Sequence, residues 1–341
     1  MEFLAAIGSW ISEHESMLSG AAAIIVLFGV VVSGLNFLLR RLANSRSRAE
    51  ADLEVKHDKK ISLADLSAPA PYPINHAQSD GLRIAYAQFG QGPHNILIAP
   101  GIISHLNIMS NLPPFRETAA ALASFANIVT FDKRGQGLSD PSLTVPSLTE
   151  RVHDIEAVLD AAGMDKVILY GVSEGGPMCV KFALDYPERV QGLILVGTTA
   201  RWLQGADFPS GIQERTLDAM VPAWGTAKLR RIFFPSIPPE TMSDETYQSF
   251  EQLVATRSSV KQLVEFMKET DVRGLLPQLR CPTLVIHFAG DMAIPVRLGR
   301  AMADAIPNAE FLELPGTDHA DLSSSPAGIE RIKQFTESLQ I

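Results

Sequence analysis

Cysteine is almost missing from this chain: Cys179 and Cys281 are the two among 341 residues, far apart and each set in an apolar stretch. That excludes a disulfide framework and leaves no CxxC for zinc or redox chemistry, so both read as small buried hydrophobes. HExxH and the glycine loop of a nucleotide-phosphate site are absent too, so neither a metal nor a cofactor is expected. Basic clusters are equally scarce. Lys and Arg number 29 against 38 Asp and Glu, for a net charge of −9. Phosphate backbones are bound by grouped cations, so no nucleic-acid partner is expected. The chain has no internal repeat and no low-complexity tract. What it does have is apolar content, 46% hydrophobic against 20% charged. That is ordinary globular composition, in a chain long enough for one large domain or two modest ones.

Charge also vanishes locally. From Ser16 to Leu39 no charged residue occurs, and the stretch reads "AAAIIVLFGVVVSGLNFLL" before Arg40 and Arg41. Crossing a bilayer takes about 20 apolar residues. A cleaved signal peptide opens with positive charge and ends on a small-residue site, whereas the leading segment 1–16 carries Glu2, Glu13 and Glu15. Residues 17–39 are therefore read as one transmembrane helix. The arginines that follow keep their side in the cytoplasm, which makes a single-pass protein of the cell membrane with everything after residue 40 inside. Residues 40–72 read as a charged stalk and a linker ("SAPAPYP").

After the linker the texture changes. Ile74 to Gln78 and Leu82 to Gln88 flank Ser79-Asp80-Gly81 as a hairpin. Short apolar runs then alternate with helical segments: "NILIA" (95–99), "NIVTF" (127–131), "KVILY" (166–170), "LILV" (193–196), "TLVIHF" (283–288) and "EFLEL" (310–314). Such runs separated by helices indicate a largely parallel sheet covered on both faces. Ser147 and Glu150 form a capping box for a helix whose face is Leu148, Val152, Ile155 and Leu159, closed by Gly163. Residues 200 to about 275 break the alternation with helical spacing and aromatics that include Trp202, Trp224 and Phe266. They are either extra surface helices or a lid whose aromatics roof a pocket.

"GVSEGG" (171–176) follows the strand "KVILY" and precedes the helix-compatible "PMCVKFALDY". A Gly-x-Ser-x-Gly sequence alone is weak, but between a strand and a helix it describes a strained corner that exposes a nucleophile, Ser173. Gly171 and Gly175 are needed there because side chains would collide across the turn. A serine needs a base, and the base an orienting acid. Asp291 lies just past "TLVIHF" and His319 just past "EFLEL", in the order Ser, Asp, His. Asp291 could instead cap the helix that follows it. Asp318 is a rival acid, but adjacency to His319 makes it awkward for orienting that ring. The oxyanion needs donors. These are assigned to the backbone N–H of Glu174 and of Ile102, with Gly101 permitting the close turn. His105 either faces the pocket or bonds to backbone, Trp202 and Trp224 are candidate pocket residues, and His287 reads as structural. Asp132, Arg134 and Ser139 read as organisers of their own loop.

With elbow "GVSEGG", acid loop "GDMAIP" and histidine loop "PGTDH" in this order, the domain placed at 73–341 resembles an α/β-hydrolase fold protein. "FDKRGQGLSD", "APGIISHLN" and "GVSEGGPM" bring it nearest to bacterial hydrolases found with class III adenylate or guanylate cyclases. Pro100 stands where the family's oxyanion loop usually has histidine. The resemblance implies a mostly parallel eight-stranded sheet flanked by helices, with a helical cap over about 200–275. With the triad it implies a serine hydrolase working through an acyl-enzyme; the uncharged run 17–39 makes it membrane-anchored, and the aromatic lid and the lack of a cationic cluster favour a small or medium neutral ester or lactone. Carbon–carbon bond hydrolysis or perhydrolysis on the same triad, and a ligand-binding signalling receptor with an unknown partner, remain the alternatives.

Overall fold

Asp80 and Gly81 turn the chain with φ of +48° and +80°, the left-handed pair a tight hairpin demands. They join Ile74–Ser79 (β1) antiparallel to Leu82–Phe89 (β2). The structure, a computed structural model, describes residues 60–339. Six further strands follow: His94–Ala99 (β3), Ala126–Phe131 (β4), Val167–Val172 (β5), Val190–Val196 (β6), Thr283–Phe288 (β7) and Glu310–Leu314 (β8). All eight form one sheet in the order β1-β2-β4-β3-β5-β6-β7-β8, parallel from β4 onward. Every run read as a strand is one, and β5 and β6 extend two or three residues beyond the reading because Gly171 and Val190 also sit in the ladder.

Because side chains alternate along a strand, the sheet separates two apolar layers. Leu97, Val129, Leu169, Leu195 and Val285 face one way, onto the helices Leu148–Ala161, Gly175–Asp185 and Val296–Ala305. Ile96, Ile128, Ile168, Ile194 and Ile286 face the other, onto Pro113–Ala123 and Pro326–Ser338. Strands buried on both sides explain their unbroken apolar sequence. The capped helix runs Leu148–Ala161 with both halves of its box formed, Ser147 to the Glu150 N–H and Glu150 back to Ser147.

Between β6 and β7 five helices, from Glu214–Asp218 to Arg257–Glu269, build a third apolar cluster of their own. Trp202, Tyr247, Phe250 and Val264 are buried in it. Ile61 and Leu66, inside the segment 40–72 read as stalk and linker, are buried in the same cluster, and the Ile61 N–H donates to the Thr241 carbonyl at 2.7 Å. Their side chains are apolar enough to be held there, which composition alone concealed. The span read at 17–39, and the stalk up to residue 59, lie outside the described residues. Among the described residues no helix is long and apolar enough to cross a membrane.

Candidate active site

The connection after β3 leads to β4 on one side and the connection after β5 leads to β6 on the other. Where strand order reverses, the loops part and leave a crevice at the C-terminal strand ends. Ser173 sits at that point. It follows β5, precedes the helix Gly175–Asp185 and holds φ at +52°, a left-handed conformation that a serine adopts only under constraint. The constraint is visible. The Ser173 N–H donates to the Val196 carbonyl at 3.0 Å, and its carbonyl accepts from the Thr198 hydroxyl at 2.5 Å. Both elbow glycines are in close approaches. A Cβ on Gly175 would lie 2.3 Å from the Ala99 carbonyl oxygen, and one on Gly171 would lie 2.9 Å from the Gly176 Cα.

The structure brings His319 and Asp291 together from the loops after β8 and β7. The His319 Nδ1 lies 2.8 Å from the Asp291 Oδ2. A carboxylate only accepts, so Nδ1 carries the proton and Nε2 is left as an acceptor. Nε2 is buried and has no partner among the described residues, Ser173 included. Both residues line one cavity, and catalytic bonds in ligand-free sites often tighten only with substrate present. The other Asp291 oxygen, Oδ1, accepts the N–H of Ala293 at 2.8 Å and of Ile294 at 3.0 Å. The acid thus holds its own turn with one oxygen and the histidine with the other, while the helix after it begins at Val296 beyond Pro295. Burial alone would raise the Asp291 pKa. Electrostatic attraction to His319 and the hydrogen bonds from His287, His319 and the Ile294 N–H outweigh it and hold this carboxyl well below the usual range. Asp318 turns away from the ring to accept the Ser236 N–H at 3.0 Å.

His287, read as structural, was missed as a neighbour of the acid. Its Nε2 lies 2.7 Å from the Ile294 carbonyl and 3.3 Å from the Asp291 Oδ2. The spacing His287-x-x-x-Asp291 across a strand end carried no signal for this.

The two N–H groups assigned to the oxyanion, Ile102 and Glu174, make no hydrogen bond among the described residues; Glu174 follows Ser173 in the chain and Ile102 lines the same cavity as the serine. The Glu174 side chain, without an assigned partner in the sequence, is buried between two cations. Lys133 Nζ donates to its Oε2 at 2.6 Å and Arg151 Nη1 to its Oε1 at 2.6 Å. Burial lowers the Lys133 pKa to about 8, with Glu174 opposing and Arg151 adding to the fall. Around them Asp132 and Ser139 organise their loop as read, whereas Arg134 reaches out of it to the helix Leu148–Ala161 and the β1 hairpin. Asp132 accepts the N–H of Leu106 and Leu138, Ser139 bonds to the Asp132 carbonyl, and Arg134 grips Asp154 through Nε and Nη2.

The cavity at Ser173 has a volume of about 310 Å³. Trp224, Phe233, Phe234, Tyr247 and Phe250 line its cap side, with Phe115 from the helix Pro113–Ala123; Ile98, Thr130, Tyr170 and Val172 continue it along the sheet. His105 and Ile102 line it as well. Burial lowers the His105 pKa, favouring the neutral ring. Trp202 corrects the sequence reading: it is fully buried in the cap cluster and does not reach the cavity. Its neighbour Leu203 bridges to Ile212.

The alpha/beta hydrolase fold family matches residues 95–326. The chain is similar to a putative carbamate hydrolase of Azorhizobium caulinodans, at 28% identity over 62% of this chain and 81% of that protein. It is equally similar, at 28%, to a 2-hydroxy-6-oxononadienedioate/2-hydroxy-6-oxononatrienedioate hydrolase of Paraburkholderia phymatum, over 67% of this chain and 82% of that one. Among solved structures, an esterase from Exiguobacterium antarcticum superposes with a TM-score of 0.68 at 21% identity, over 77% of this chain and 99% of that chain. At that identity the likeness speaks for the fold.

Proposed function

The chain belongs to the α/β hydrolase fold family and is a hydrolase; from that premise we propose that it is a serine hydrolase opening a neutral, apolar ester or lactone by way of an acyl-enzyme. The observation that carries this is the buried 2.8 Å His319–Asp291 contact beside a serine held at φ +52°. His319 Nε2 takes the proton of the Ser173 hydroxyl as its oxygen attacks the acyl carbon. Asp291 steadies the imidazolium, and the Ile102 and Glu174 N–H groups receive the oxyanion. The leaving group takes the proton from Nε2, and water repeats the sequence on the acyl-enzyme to release acid and restore Ser173.

The cavity supports the substrate class. Its walls near Ser173 are aromatic and aliphatic, and Arg116, the one Lys or Arg lining it among the described residues, is exposed to solvent. A dianionic substrate, as the name of the second relative describes, would find no buried cation there, and a buried carboxylate without a partner is costly. A neutral acyl group of small to medium size is the better fit, whether its leaving group is an alcohol, a ring oxygen or a carbamate nitrogen. The proposal includes attachment to the cytoplasmic face of a membrane through residues 17–39, supported by the uncharged run from Ser16 to Leu39 and the arginines that follow. Kinship with the cyclase-associated hydrolases is part of the proposal and rests on the sequence segments "FDKRGQGLSD", "APGIISHLN" and "GVSEGGPM" alone.

The test is labelling of the full chain in detergent with a small fluorophosphonate, read by intact mass for the wild type, Ser173→Ala and His319→Ala. One adduct on the wild type and little or none on either variant is the expected result. A folded wild type that takes no adduct refutes the proposal.

A further inference from the structure

Lys133 is 1% exposed, and a buried ammonium persists only where its three N–H donors are met. Here they meet three acceptors: the Gly101 carbonyl at 2.5 Å, the Glu174 carboxylate at 2.6 Å and the Ile102 carbonyl at 3.2 Å. Two of these residues, Ile102 and Glu174, carry the two free N–H groups, and Gly101 shares a peptide unit with the first. A peptide unit is planar and trans, so its C=O and N–H point in opposite directions. With the Gly101 carbonyl fixed on Lys133, the Ile102 N–H of the same peptide unit must point away from Lys133. Gly101 itself lies against Ser173, where an added Cβ would be 3.8 Å from the serine Oγ. A cation on the carbonyl end also polarises the peptide and strengthens its N–H as a donor. The second donor, Glu174, is tied to the same ammonium through its side chain.

We infer that Lys133 is a positioning residue: one buried ammonium joins the loop after β3 to the elbow after β5 and sets the spacing and direction of the two oxyanion donors. This rests on the serine-hydrolase reading above. Arg151 and Gln136 complete the frame. Arg151 holds the far oxygen of Glu174 and stacks 4.1 Å from the Phe266 ring. Gln136 Nε2 donates to the Ile102 carbonyl at 3.1 Å, and its Oε1 accepts the Ser104 N–H at 2.8 Å. Lys133→Met removes the link between the two loops yet leaves Glu174 paired with Arg151, so a buried carboxylate is not stranded.

The experiment compares the full-length wild type, Lys133→Met and Gln136→Leu on a short p-nitrophenyl ester, with the active sites counted by fluorophosphonate and folding followed by thermal melting. Misplacing one oxyanion donor costs about 10²-fold or more in the chemical step. Lys133→Met is expected to lose about 10²-fold in kcat per active site, with KM changed less than about 3-fold, because the ground-state carbonyl makes little use of the hole. Gln136→Leu, on a half-buried side chain, is expected to show the same pattern at about 10-fold and stands in if Lys133→Met does not fold. The inference is overturned if either folded variant keeps wild-type kcat per site, or if the whole loss is matched by a loss of active sites. A wild type that neither labels nor turns over overturns the hydrolase reading and this inference with it. A wild type that labels beside an equally reactive Lys133→Met overturns this inference alone.

Discussion

Gly175→Ala adds a single carbon where the elbow packs against the backbone of the loop after β3. The new Cβ would lie 2.3 Å from the Ala99 carbonyl oxygen and 2.7 Å from that of Pro100, where ordinary contact begins at 3.4 Å. Both obstacles are backbone, so no rotamer relieves them, and strand β3 with the loop after it must retreat by about 1 Å from the elbow. Overpacking of this kind costs about 1–3 kcal/mol, which in a body of this size lowers the melting temperature by about 2–10 °C. The larger effect should be on turnover. The retreating segment carries Ile102, and about 1 Å of misplacement at a reacting centre can cost about 10²-fold. Differential scanning fluorimetry and ester turnover on the same preparation measure both. Gly274, exposed and with nothing near its would-be Cβ, gives the control: Gly274→Ala should stay within about 0.5 kcal/mol and retain activity. If Gly175→Ala melts and turns over like the control, the close packing of elbow and oxyanion loop is not what holds Ser173 in place.

Acyl-chain length gives a second test. Each methylene buried in the apolar cavity is worth about 0.8 kcal/mol, so kcat/KM on p-nitrophenyl esters should climb by up to about 4-fold per carbon until the cavity is filled, then fall. A flat series from acetate to octanoate would count against an acyl pocket lined by Phe233 and Phe234. A third test concerns Asp291, whose pKa is held low in the folded protein. Such a group contributes stability that is present above its unfolded pKa of about 3.9 and is lost as pH falls toward the folded value. The stability gap between the wild type and Asp291→Asn, followed by urea unfolding, should be constant near pH 5–6 and shrink below about pH 4; a gap that widens with acid refutes the assignment.

What could be read from the chain alone follows from how local each signal is. Strands buried on both faces announce themselves as short apolar runs, and "GVSEGG" between one such run and a helix already describes the corner that Ser173 occupies. Asp291 and His319 were legible through position as much as identity, because loops after parallel strands converge at the same edge. The Lys133–Glu174 pair spans 41 residues and left no trace in either motif taken separately. A lysine between Asp132 and Arg134 reads as one more charge in a polar loop until β3 and β5 are set side by side. His287 escaped notice for a related reason: its ring reaches the acid across the end of its own strand, where no periodicity applies. Trp202 was misplaced because an aromatic in a helical, strand-poor region carries no direction, and in the fold it is buried in the cap cluster. Ile61 and Leu66 sat in a charged, proline-bearing stretch whose average polarity masked two apolar anchors.

The cap and His319, the proposed general base, are not independent parts. The His319 N–H donates to the Phe233 carbonyl at 3.1 Å, and Asp318 accepts the Ser236 N–H at 3.0 Å. Two consecutive residues of the histidine loop are therefore bonded to the cap segment that carries the aromatic wall of the cavity. The Phe233 ring also lies 5.6 Å from the imidazole. Lifting the segment 233–236 to widen the cavity would break both bonds and withdraw the apolar cover from Nε2. A substrate that props this segment open disturbs the base it depends on, whereas one that seats beneath Phe233 leaves His319 clamped between the cap and Asp291. Selection for acyl groups that fit under the cap would then act on kcat as well as on KM, because poor fit and a displaced base are the same structural event.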